Sequence, residues 1–406
     1  MPSLPMRRRK VAMRSAVPAD RSDKRRYVNS AEVAGFSVHS AQTRIIKFTL
    51  TAMLYLLATA SGGCMSAAKN PQEVFAAFPG GHHFVVGPKG SIQKKSFGLA
   101  DAVEGTAVNG ETRFMSYSVT KLITAIAVVQ LADEGLVKMD DPLTLHLSQH
   151  PYGGEVTLAQ LIRHTAGVPN PMPIDWFYLD GEDFNSDAKL QELMTDHPKL
   201  KSAPGAKYGY SNVGYWLLEK VVEHHRKKDF AAAIHDHVFA PLGLDRSQAG
   251  FEIPKELASG HSKRWSLRSA FFRLLMPGSF WGQPKGKWTL HPQVHPWGRG
   301  YGGLYCTPDA LGRVLSDLLK EKPTLVSLKG LDEVKASMAK GQLLGHDYFG
   351  KQGGGLGHQA NVRLYPHLGL GTLWMANLTE VSAAPIDGVS DVLDAAAIKE
   401  CEGKKP

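Results

Sequence analysis

Residues 118–131 read Ser-Val-Thr-Lys-Leu-Ile-Thr-Ala-Ile-Ala-Val-Val-Gln-Leu, and Gly135 follows shortly after them. Apolar side chains recur here at helical spacing, and glycine is common just past the end of a helix. The stretch therefore predicts an apolar helix that ends before Gly135. A second helix is predicted from Asn212 to His225, with one apolar face formed by Val213, Trp216, Leu217 and Val221.

Both ends of the body carry strand signals instead. Residues 83–92 surround a Pro/Gly turn and predict a hairpin, and residues 362–375 show a second strand–turn–strand pattern. Helical spacing returns over residues 389–398. Strands at both ends with helices between them predict an α+β fold (an α/β sandwich) over residues 70–400. One antiparallel sheet is built from both termini, with flanking helices and a helical subdomain inserted at roughly 118–300.

The charge of this sequence is concentrated at its N-terminus. The whole chain carries a formal net charge of +9, but residues 1–64 contain 11 Lys/Arg against 3 Asp/Glu. The remainder has 47 − 11 = 36 basic and 38 − 3 = 35 acidic residues, so the body is nearly neutral. A nucleic-acid partner therefore has no electrostatic support.

The N-terminal segment has the composition of an export signal. Residues 1–43 are rich in arginine and lack apolar periodicity, which predicts a disordered basic extension. Within residues 44–64, two basic residues precede an apolar run and the small residues Ser61-Gly62-Gly63, a pattern typical of a secretory signal peptide. Cys64 after the small residues resembles a bacterial lipoprotein signal, although Ser61 departs from it. The alternatives are a lipid tether at Cys64 or ordinary cleavage nearby; either places the protein in the periplasm or on a membrane as a lipoprotein.

The first candidate for catalysis is the pair Ser118 and Lys121. Residues three apart on a helix share a face, so the lysine lies beside the serine. A buried lysine can remove the proton of a serine hydroxyl, because desolvation and nearby cations lower the lysine pKa. The alternative is a solvated helix face, which the apolar surroundings disfavour.

Two further motifs carry suitable chemistry. In Tyr210-Ser211-Asn212, the phenol can relay a proton if a nearby cation lowers its pKa, and the amide of Asn212 can bind a substrate amide. The structural alternative is that Asn212 caps the second helix. In Lys351-Gln352-Gly353-Gly354-Gly355, glycines let a strand approach a ligand and present N–H groups to an oxyanion. Lys351 can hold a substrate carboxylate or polarise the Tyr210 phenol; the alternative is a flexible turn.

In their combination and order, these motifs resemble the superfamily of class C β-lactamases, D-Ala-D-Ala carboxypeptidases and esterases. The resemblance covers roughly residues 80–380. Besides the three motifs it is carried by Thr112-Arg113-Phe114, Gly135-Leu136, Asp140-Asp141-Pro142, residues 161–167, Pro204-Gly205, Gly302-Gly303-Leu304 with Thr307, and residues 363–366.

The resemblance implies roles for individual residues. Ser118 would form an acyl-enzyme, Lys121 and Tyr210 would share the role of base, and Asn212 would contact the acyl amide. The backbone N–H groups of Ser118 and Gly354 would form the oxyanion hole. Lys351 and Gly353 match a third motif that is usually Lys-Thr-Gly in β-lactamases and often His-x-Gly in esterase-like members. Gln352 replaces its threonine, which puts efficient β-lactamase activity in doubt. No metal or organic cofactor is implied.

The sequence thus favours a serine hydrolase of small-molecule or peptide substrates, cleaving esters or amides, D-amino-acid peptides included. One alternative is a penicillin-binding-like sensor of cell-wall fragments that turns over slowly. Another is a non-catalytic anchored scaffold, against which the intact trio Ser118, Lys121 and Tyr210 argues. Two other features are interpreted structurally: Cys306 as a packed strand-end residue, and the basic, aromatic stretch 264–281 as a helix packed on the core in preference to a membrane-binding segment.

Overall fold

The computed structural model describes residues 70–171, 176–182, 184–265, 277–282, 284–378 and 384–403, together with Ser269 and Arg273. The predicted extension over residues 1–43, the predicted signal over residues 44–64 and the tether at Cys64 lie outside the described residues. Most of the stretch 266–276 lies outside them as well, so its interpretation as a packed helix stays a prediction.

The strands of the described chain are β1 (Gly80–Gly87), β2 (Gly90–Asp101), β3 (Thr106–Ala107), β4 (Phe114–Met115), β5 (Phe177–Leu179), β6 (Ala249–Gly250), β7 (His261–Lys263), β8 (Pro284–Lys285), β9 (Trp288–Leu290), β10 (Val294–Pro296), β11 (Tyr305–Cys306), β12 (Ala339–Leu343), β13 (His346–Gly355), β14 (His358–Tyr365) and β15 (Leu370–Ala376). Its helices are α1 (Pro71–Ala77), α2 (Thr120–Asp133), α3 (Leu158–Ile162), α4 (Ser186–Asp196), α5 (Asn212–Arg226), α6 (Phe230–Ile234), α7 (Arg299–Gly302), α8 (Pro308–Leu318), α9 (Leu328–Ala336) and α10 (Ala384–Glu402).

The main sheet joins the two ends of the folded chain. Among the described residues its strand order is β12-β13-β14-β15-β1-β2-β3, and β1 pairs antiparallel with β15, placing His83 opposite Trp374. All eight residues of β1 and all seven of β15 are buried, as expected for central strands covered on both faces. The predicted α+β class, with an antiparallel sheet built from both termini, is confirmed.

Helix α2 forms the centre of the helical part. Every residue from Thr120 to Leu131 is buried, so this mainly apolar helix is covered on all sides and not only along one stripe. It ends at Asp133, and Gly135 has a φ of +74°, the left-handed conformation in which glycine commonly follows a helix. Helices α5, α7 and α9 pack around α2.

Helix α5 begins where the sequence predicted, but its cap is a different residue. The Oγ of Ser211 accepts a hydrogen bond from the backbone N–H of Gly214, so Ser211 is the N-cap and Asn212 is the first helical residue. The interpretation of Asn212 as the cap was wrong by one position. Within the described residues, the helices are all too short or too polar to cross a bilayer.

Candidate active site

Ser118 is presented by a strained turn directly in front of α2. It lies in the single 3₁₀ turn Tyr117–Val119, and Tyr117 has a φ of +44°, a left-handed conformation that is costly for a side chain of this size. The Tyr117 hydroxyl donates a hydrogen bond to the carbonyl of Leu356 at 2.8 Å, and its ring is buried. The surrounding structure therefore holds the turn in a conformation that it would not adopt alone.

Lys121 lies beneath Ser118 and is fully buried. Its Nζ is 3.0 Å from Ser118 Oγ and donates a hydrogen bond to the backbone carbonyl of Tyr301 at 2.6 Å. No carboxylate of the described chain pairs with it. Burial, followed by repulsion from Lys351, places the Lys121 pKa well below its usual value of 10.5. A lysine that readily loses its proton can accept the one on Ser118 Oγ.

Tyr210 approaches Ser118 from the loop before α5. Its Oη lies 2.7 Å from Ser118 Oγ, and its ring centroid lies 4.9 Å from Lys121 Nζ. Although 37% of Tyr210 is exposed along the cleft, its hydroxyl end is packed among side chains, and this burial raises its pKa. The sequence made a proton relay conditional on a cation that lowers this pKa, whereas in the structure burial is the largest influence and is opposed by the hydrogen bond with Ser118. Tyr210 is therefore a neutral phenol that can pass a proton and not a phenolate base.

Lys351 is a second buried amine, on β13. Its Nζ donates a hydrogen bond to the backbone carbonyl of Ser337 at 2.6 Å and lies 5.3 Å from the ring centroid of Tyr215. Desolvation lowers its pKa to about 7. In the described structure no hydrogen bond joins Lys351 to the Tyr210 hydroxyl, so its influence on the site acts through charge.

The glycines of β13 bring this strand against the Ser118 turn. A β-carbon at Gly353 would overlap the carbonyl oxygen of Ser116, and one at Gly355 would overlap the Tyr117 ring. The pairing of β13 with β12 ends at Gly350, so residues 351–355 extend past their neighbour on that side. This end of β13 has the backbone approach that the predicted oxyanion hole at Ser118 and Gly354 requires.

The other two predicted binding residues lie apart from the hydroxyl. The side chain of Gln352 points towards α10, where its Nε2 donates a hydrogen bond to Asp387 Oδ1. The backbone N–H of Asn212 donates to Asn170 Oδ1 at 2.9 Å, and its own Oδ1 is buried without a hydrogen-bond partner in the described chain. Asn212 is not among the residues that line the cleft at Ser118, so its contact with a substrate stays a prediction.

His164 is a site residue that sequence reasoning missed. Its ring lies 4.5 Å from that of Tyr210 and 5.0 Å from that of Tyr215, and its Nδ1 accepts a hydrogen bond from the backbone N–H of Ser211. Burial, and then the charges of Lys351 and Lys121, lower its pKa to about 2. This neutral ring fixes the position of Tyr210. The residue was visible within residues 161–167, but its packing against Tyr210 joins segments far apart in the sequence.

Ser118, His164, Tyr210 and residues 351–355 line a cleft of about 820 Å³ between β13, α10 and the loops of the helical part. The size suits a small-molecule or short peptide substrate. We refer to it as the Ser118 cleft; its lining includes Ser118, Arg163, His164, Tyr208, Tyr210, Lys340, Gln352–Gly355, Gln359, Asn361, Arg363 and Asp387.

Other candidate chemistry is absent from this part of the molecule. Cys306 is buried on β11, outside the Ser118 cleft, and burial raises the pKa of its thiol to about 12, which disfavours the nucleophilic thiolate. Across the described residues, no group of three or more His, Cys, Asp or Glu side chains is arranged to hold a metal ion.

Comparison with known proteins identifies related sequences. The sequence model of the Beta-lactamase family matches residues 72–391. The chain is 28% identical to penicillin-binding protein 4* of Bacillus subtilis over 189 residues, 44% of this chain and 41% of that protein. It is 27% identical to esterase EstB of Burkholderia gladioli over 272 residues, 56% of this chain and 65% of that protein. The matches thus span less than two thirds of either relative.

The fold is also that of known structures. The D-amino acid amidase of Ochrobactrum anthropi SV3 superimposes with a TM-score of 0.68, covering 82% of this chain and 97% of the amidase at 18% identity. The octameric penicillin-binding protein homologue from Pyrococcus abyssi superimposes with a TM-score of 0.66 at 20% identity. At such identities these likenesses establish a shared fold, and the chemistry has to be argued from the residues of the site.

Proposed function

Because the chain belongs to the β-lactamase family of serine hydrolases and penicillin-binding proteins, we propose that it hydrolyses esters or amides through an acyl intermediate on Ser118. One observation carries the proposal: Ser118 Oγ lies within hydrogen-bonding distance of both a buried lysine and a neutral tyrosine. A serine with such neighbours can be deprotonated at neutral pH without a histidine–aspartate pair.

The lysine is the base in this proposal. The ammonium form of Lys121 donates to Ser118 Oγ, whereas the neutral amine lets the Ser118 hydroxyl donate to its lone pair. Burial lowers the Lys121 pKa and so populates the neutral form. As Ser118 Oγ attacks the substrate carbonyl carbon, its proton passes to Lys121 Nζ. The carbonyl of Tyr301 keeps the amine in place through this transfer.

Tyr210 handles the leaving group. Its hydroxyl lies 2.7 Å from Ser118 Oγ and is neutral because burial raises its pKa. It can give its proton to the departing alcohol or amine while taking one from Lys121, which releases the first product and leaves the acyl-serine. Water then attacks this ester by the reverse route. The oxyanion of both steps would be bound by the N–H groups of Ser118 and Gly354.

The cleft disfavours efficient β-lactam hydrolysis. The position next to Lys351 is Gln352, and its side chain bonds to a carboxylate, Asp387. A substrate carboxylate at this wall meets neither the hydroxyl expected in a β-lactamase nor an unpaired cation. Esters and amides that place no carboxylate beside Gln352 are therefore the favoured substrates, and D-amino-acid derivatives are among them.

Labelling and turnover test the proposal. The purified protein and its Ser118→Ala variant are treated with a fluorophosphonate and with a fluorescent penicillin, and hydrolysis of a chromogenic ester is followed. Labelling that requires Ser118, together with ester turnover, is the expected result. Absence of both labelling and turnover in the folded protein would overturn the proposal.

The same experiment separates the alternatives. Stable penicillin labelling without turnover indicates a slow penicillin-binding protein that senses cell-wall fragments. The buried Lys121, which supplies a base for deacylation as well as acylation, favours turnover. Export through the N-terminal signal and a tether at Cys64 are further proposals, tested by cell fractionation and by a Cys64→Ala variant.

A further inference from the structure

The wall of the Ser118 cleft that faces α10 carries polar groups that the proposed mechanism does not use. Side chains alternate along a strand, so Gln352 points to the face of β13 opposite to Lys351 and Gly353. On that face Gln352 pairs across the sheet with Asn361 on β14 and bonds to Asp387 on α10. We refer to Gln352, Asn361 and Asp387 as the acceptor wall.

The partners of Asp387 hold its carboxylate in place but bond to only one of its two oxygens. Its Oδ1 accepts hydrogen bonds from Gln352 Nε2 and, at 3.2 Å, from the guanidinium of Arg363. In the described structure Oδ2 has no hydrogen-bond donor, and 60% of the side chain is exposed where it lines the cleft. One carboxylate oxygen therefore remains open to a ligand.

The charge around this wall is negative. The buried guanidinium of Arg363 is shared by Asp387, by Asp391 at 2.6 Å and by Asp394 at 3.3 Å. Burial raises the Asp394 pKa to about 6, so this carboxyl is still mostly ionised at neutral pH. One positive charge thus faces three acids, and the excess negative charge reaches the cleft through Asp387.

Asn361 adds an unpaired acceptor. The Ser390 hydroxyl donates its single hydrogen to the carbonyl of Ile386 at 2.7 Å, so it can only accept from Asn361. The Asn361 amide therefore donates from its Nδ2 to Ser390 Oγ, and its Oδ1 points away from Ser390. That Oδ1 is buried and has no donor within the described chain, although Asn361 lines the cleft. A buried acceptor without a partner is costly and becomes satisfied if a donor binds there.

The cations that line the cleft are directed elsewhere. Arg163 pairs with Glu333 at 2.5 Å, Lys340 pairs with Asp347 at 3.1 Å, and the Lys351 amine bonds to the Ser337 carbonyl on the opposite face of β13. In the described lining, a substrate carboxylate at the acceptor wall would meet acceptors and negative charge without an unpaired cation.

We propose that the acceptor wall is a subsite for a positively charged hydrogen-bond donor, a primary ammonium group of the substrate, bound by Asp387 Oδ2 and the unpaired Asn361 Oδ1. It selects amine-bearing esters or amides and rejects those with a carboxylate at the same position. This inference rests on the proposed hydrolase function and names the substrate class of that site.

Matched substrates test the subsite. One series of p-nitrophenyl esters carries acyl chains of equal length that end in a methyl, an ammonium or a carboxylate group, and a second series carries the same end groups on the leaving alcohol. In at least one series, kcat/KM should be about tenfold higher for the ammonium ester than for the carboxylate ester, the effect of one charge-assisted hydrogen bond in a half-exposed site. In the Asp387→Asn variant this ratio should fall towards one.

Asp391→Asn is the matched control. It removes a carboxylate from the same helix and the same guanidinium, but Asp391 does not line the cleft, so the ratio should fall much less than in Asp387→Asn. If Asp387→Asn does not fold, as judged by circular dichroism, salt replaces the variant. Raising the ionic strength from about 0.05 M to about 0.5 M should weaken the ammonium preference of the wild type through screening.

The outcomes separate this inference from the proposed function. A wild-type protein that turns over none of the esters overturns both. Turnover without a charge preference in either series, a preference that survives Asp387→Asn, or one that salt does not change overturns the subsite and leaves the hydrolase standing.

Discussion

The backbone of Gly353 lies against the backbone of Ser118: a β-carbon at position 353 would come within 2.9 Å of the Ser118 nitrogen and 3.0 Å of the Val119 nitrogen. Real β-carbon contacts are longer than this, so only glycine fits without moving the turn. The strand β13 thus packs directly against the turn that carries the reactive hydroxyl and holds it in place.

Gly353→Ala should therefore damage the site more than the fold. The added methyl group has to displace the Ser118 turn, at a cost of about 1–3 kcal/mol in unfolding free energy. A displacement of about 1 Å at the reacting atom can lower kcat/KM by about 100-fold. The measurements are ester turnover, the rate of fluorophosphonate labelling and the free energy of unfolding.

Gly354→Ala is the control for the added methyl group. Its β-carbon would meet only ordinary contacts, 3.6 Å to Ile386 Cδ1 and 3.8 Å to Gln359 Cγ. Its unfolding free energy should stay within about 0.5 kcal/mol of the wild type. If Gly353→Ala labels and turns over like the wild type, β13 does not support the turn as described.

Removing each proton-handling group should show which one is the base. Lys121→Met takes away the amine that accepts the Ser118 proton and should lower kcat/KM by about 1,000-fold. Tyr210→Phe removes a neutral relay, whose place water can take in part, and should cost about 10- to 100-fold. Tyr208→Phe is the control. Tyr208 also lines the cleft, but among the described residues the tyrosine that bonds to Ser118 Oγ is Tyr210. A larger loss for Tyr210→Phe than for Lys121→Met would reverse the two roles.

Lys351→Met should make the protein more stable and less active. The pKa of Lys351 falls from its usual 10.5 to about 7 on folding, so the unfolded chain binds more protons between these values and the wild type gains stability as pH rises from 7 to 10. Methionine removes this penalty, which is largest at pH 7, while the Ser337 carbonyl loses its donor at about 1–3 kcal/mol. We expect a net stabilisation of about 1–3 kcal/mol at pH 7 that shrinks by pH 10.

The same variant changes the pH dependence of activity. Repulsion from Lys351 helps to lower the Lys121 pKa, so its removal should raise that pKa. Since turnover needs neutral Lys121, the acid limb of the kcat/KM profile should move to higher pH. An unshifted limb would mean that the two amines do not influence each other.

The local part of the site could be predicted from the sequence, and the long-range part only in outline. Ser118 and Lys121 are three residues apart, so helical periodicity alone places them side by side. Tyr210 is 92 residues from Ser118, and no periodicity relates the two segments. Its place at the hydroxyl was inferred only from the resemblance between ordered motifs.

The hydrogen-bond acceptors of the two lysines could not be predicted from the sequence. The carbonyls of Tyr301 and Ser337 accept from Lys121 and Lys351, and a backbone carbonyl is present at every residue. The rise in the Tyr210 pKa could not be predicted for a related reason, because desolvation depends on packing that residue types alone do not reveal. Asp387 was missed because its helix was predicted to start only at residue 389, whereas α10 begins at Ala384.

Buried histidines make the fold sensitive to acid. Burial lowers the histidine pKa to about 4 for His82, His83 and His291, to about 3 for His358 and to about 2 for His164. Below pH 6.5 the histidines of the unfolded chain therefore bind protons that those of the folded chain do not bind, and the free energy of unfolding falls as the pH falls. Glu219 and Asp394 act in the opposite direction, since burial raises their pKa values to about 8 and about 6.

The balance predicts unfolding in mild acid. The five histidines of the unfolded chain are half protonated at pH 6.5 and almost fully protonated at pH 5. Against the two carboxyl groups, the unfolded chain therefore carries about one extra proton at pH 6.5 and about three at pH 5, which over this interval removes about 5 kcal/mol. Because that is comparable to the whole stability of a domain, loss of the near-ultraviolet circular dichroism signal is expected between about pH 4 and 5.

His83→Phe removes one of these buried histidines, whose Nε2 has no hydrogen-bond partner in the described chain. The variant should reduce the dependence of the unfolding free energy on pH by about 1.4 kcal/mol per pH unit. Equal unfolding free energies at pH 7 and pH 5 would contradict the burial of these rings.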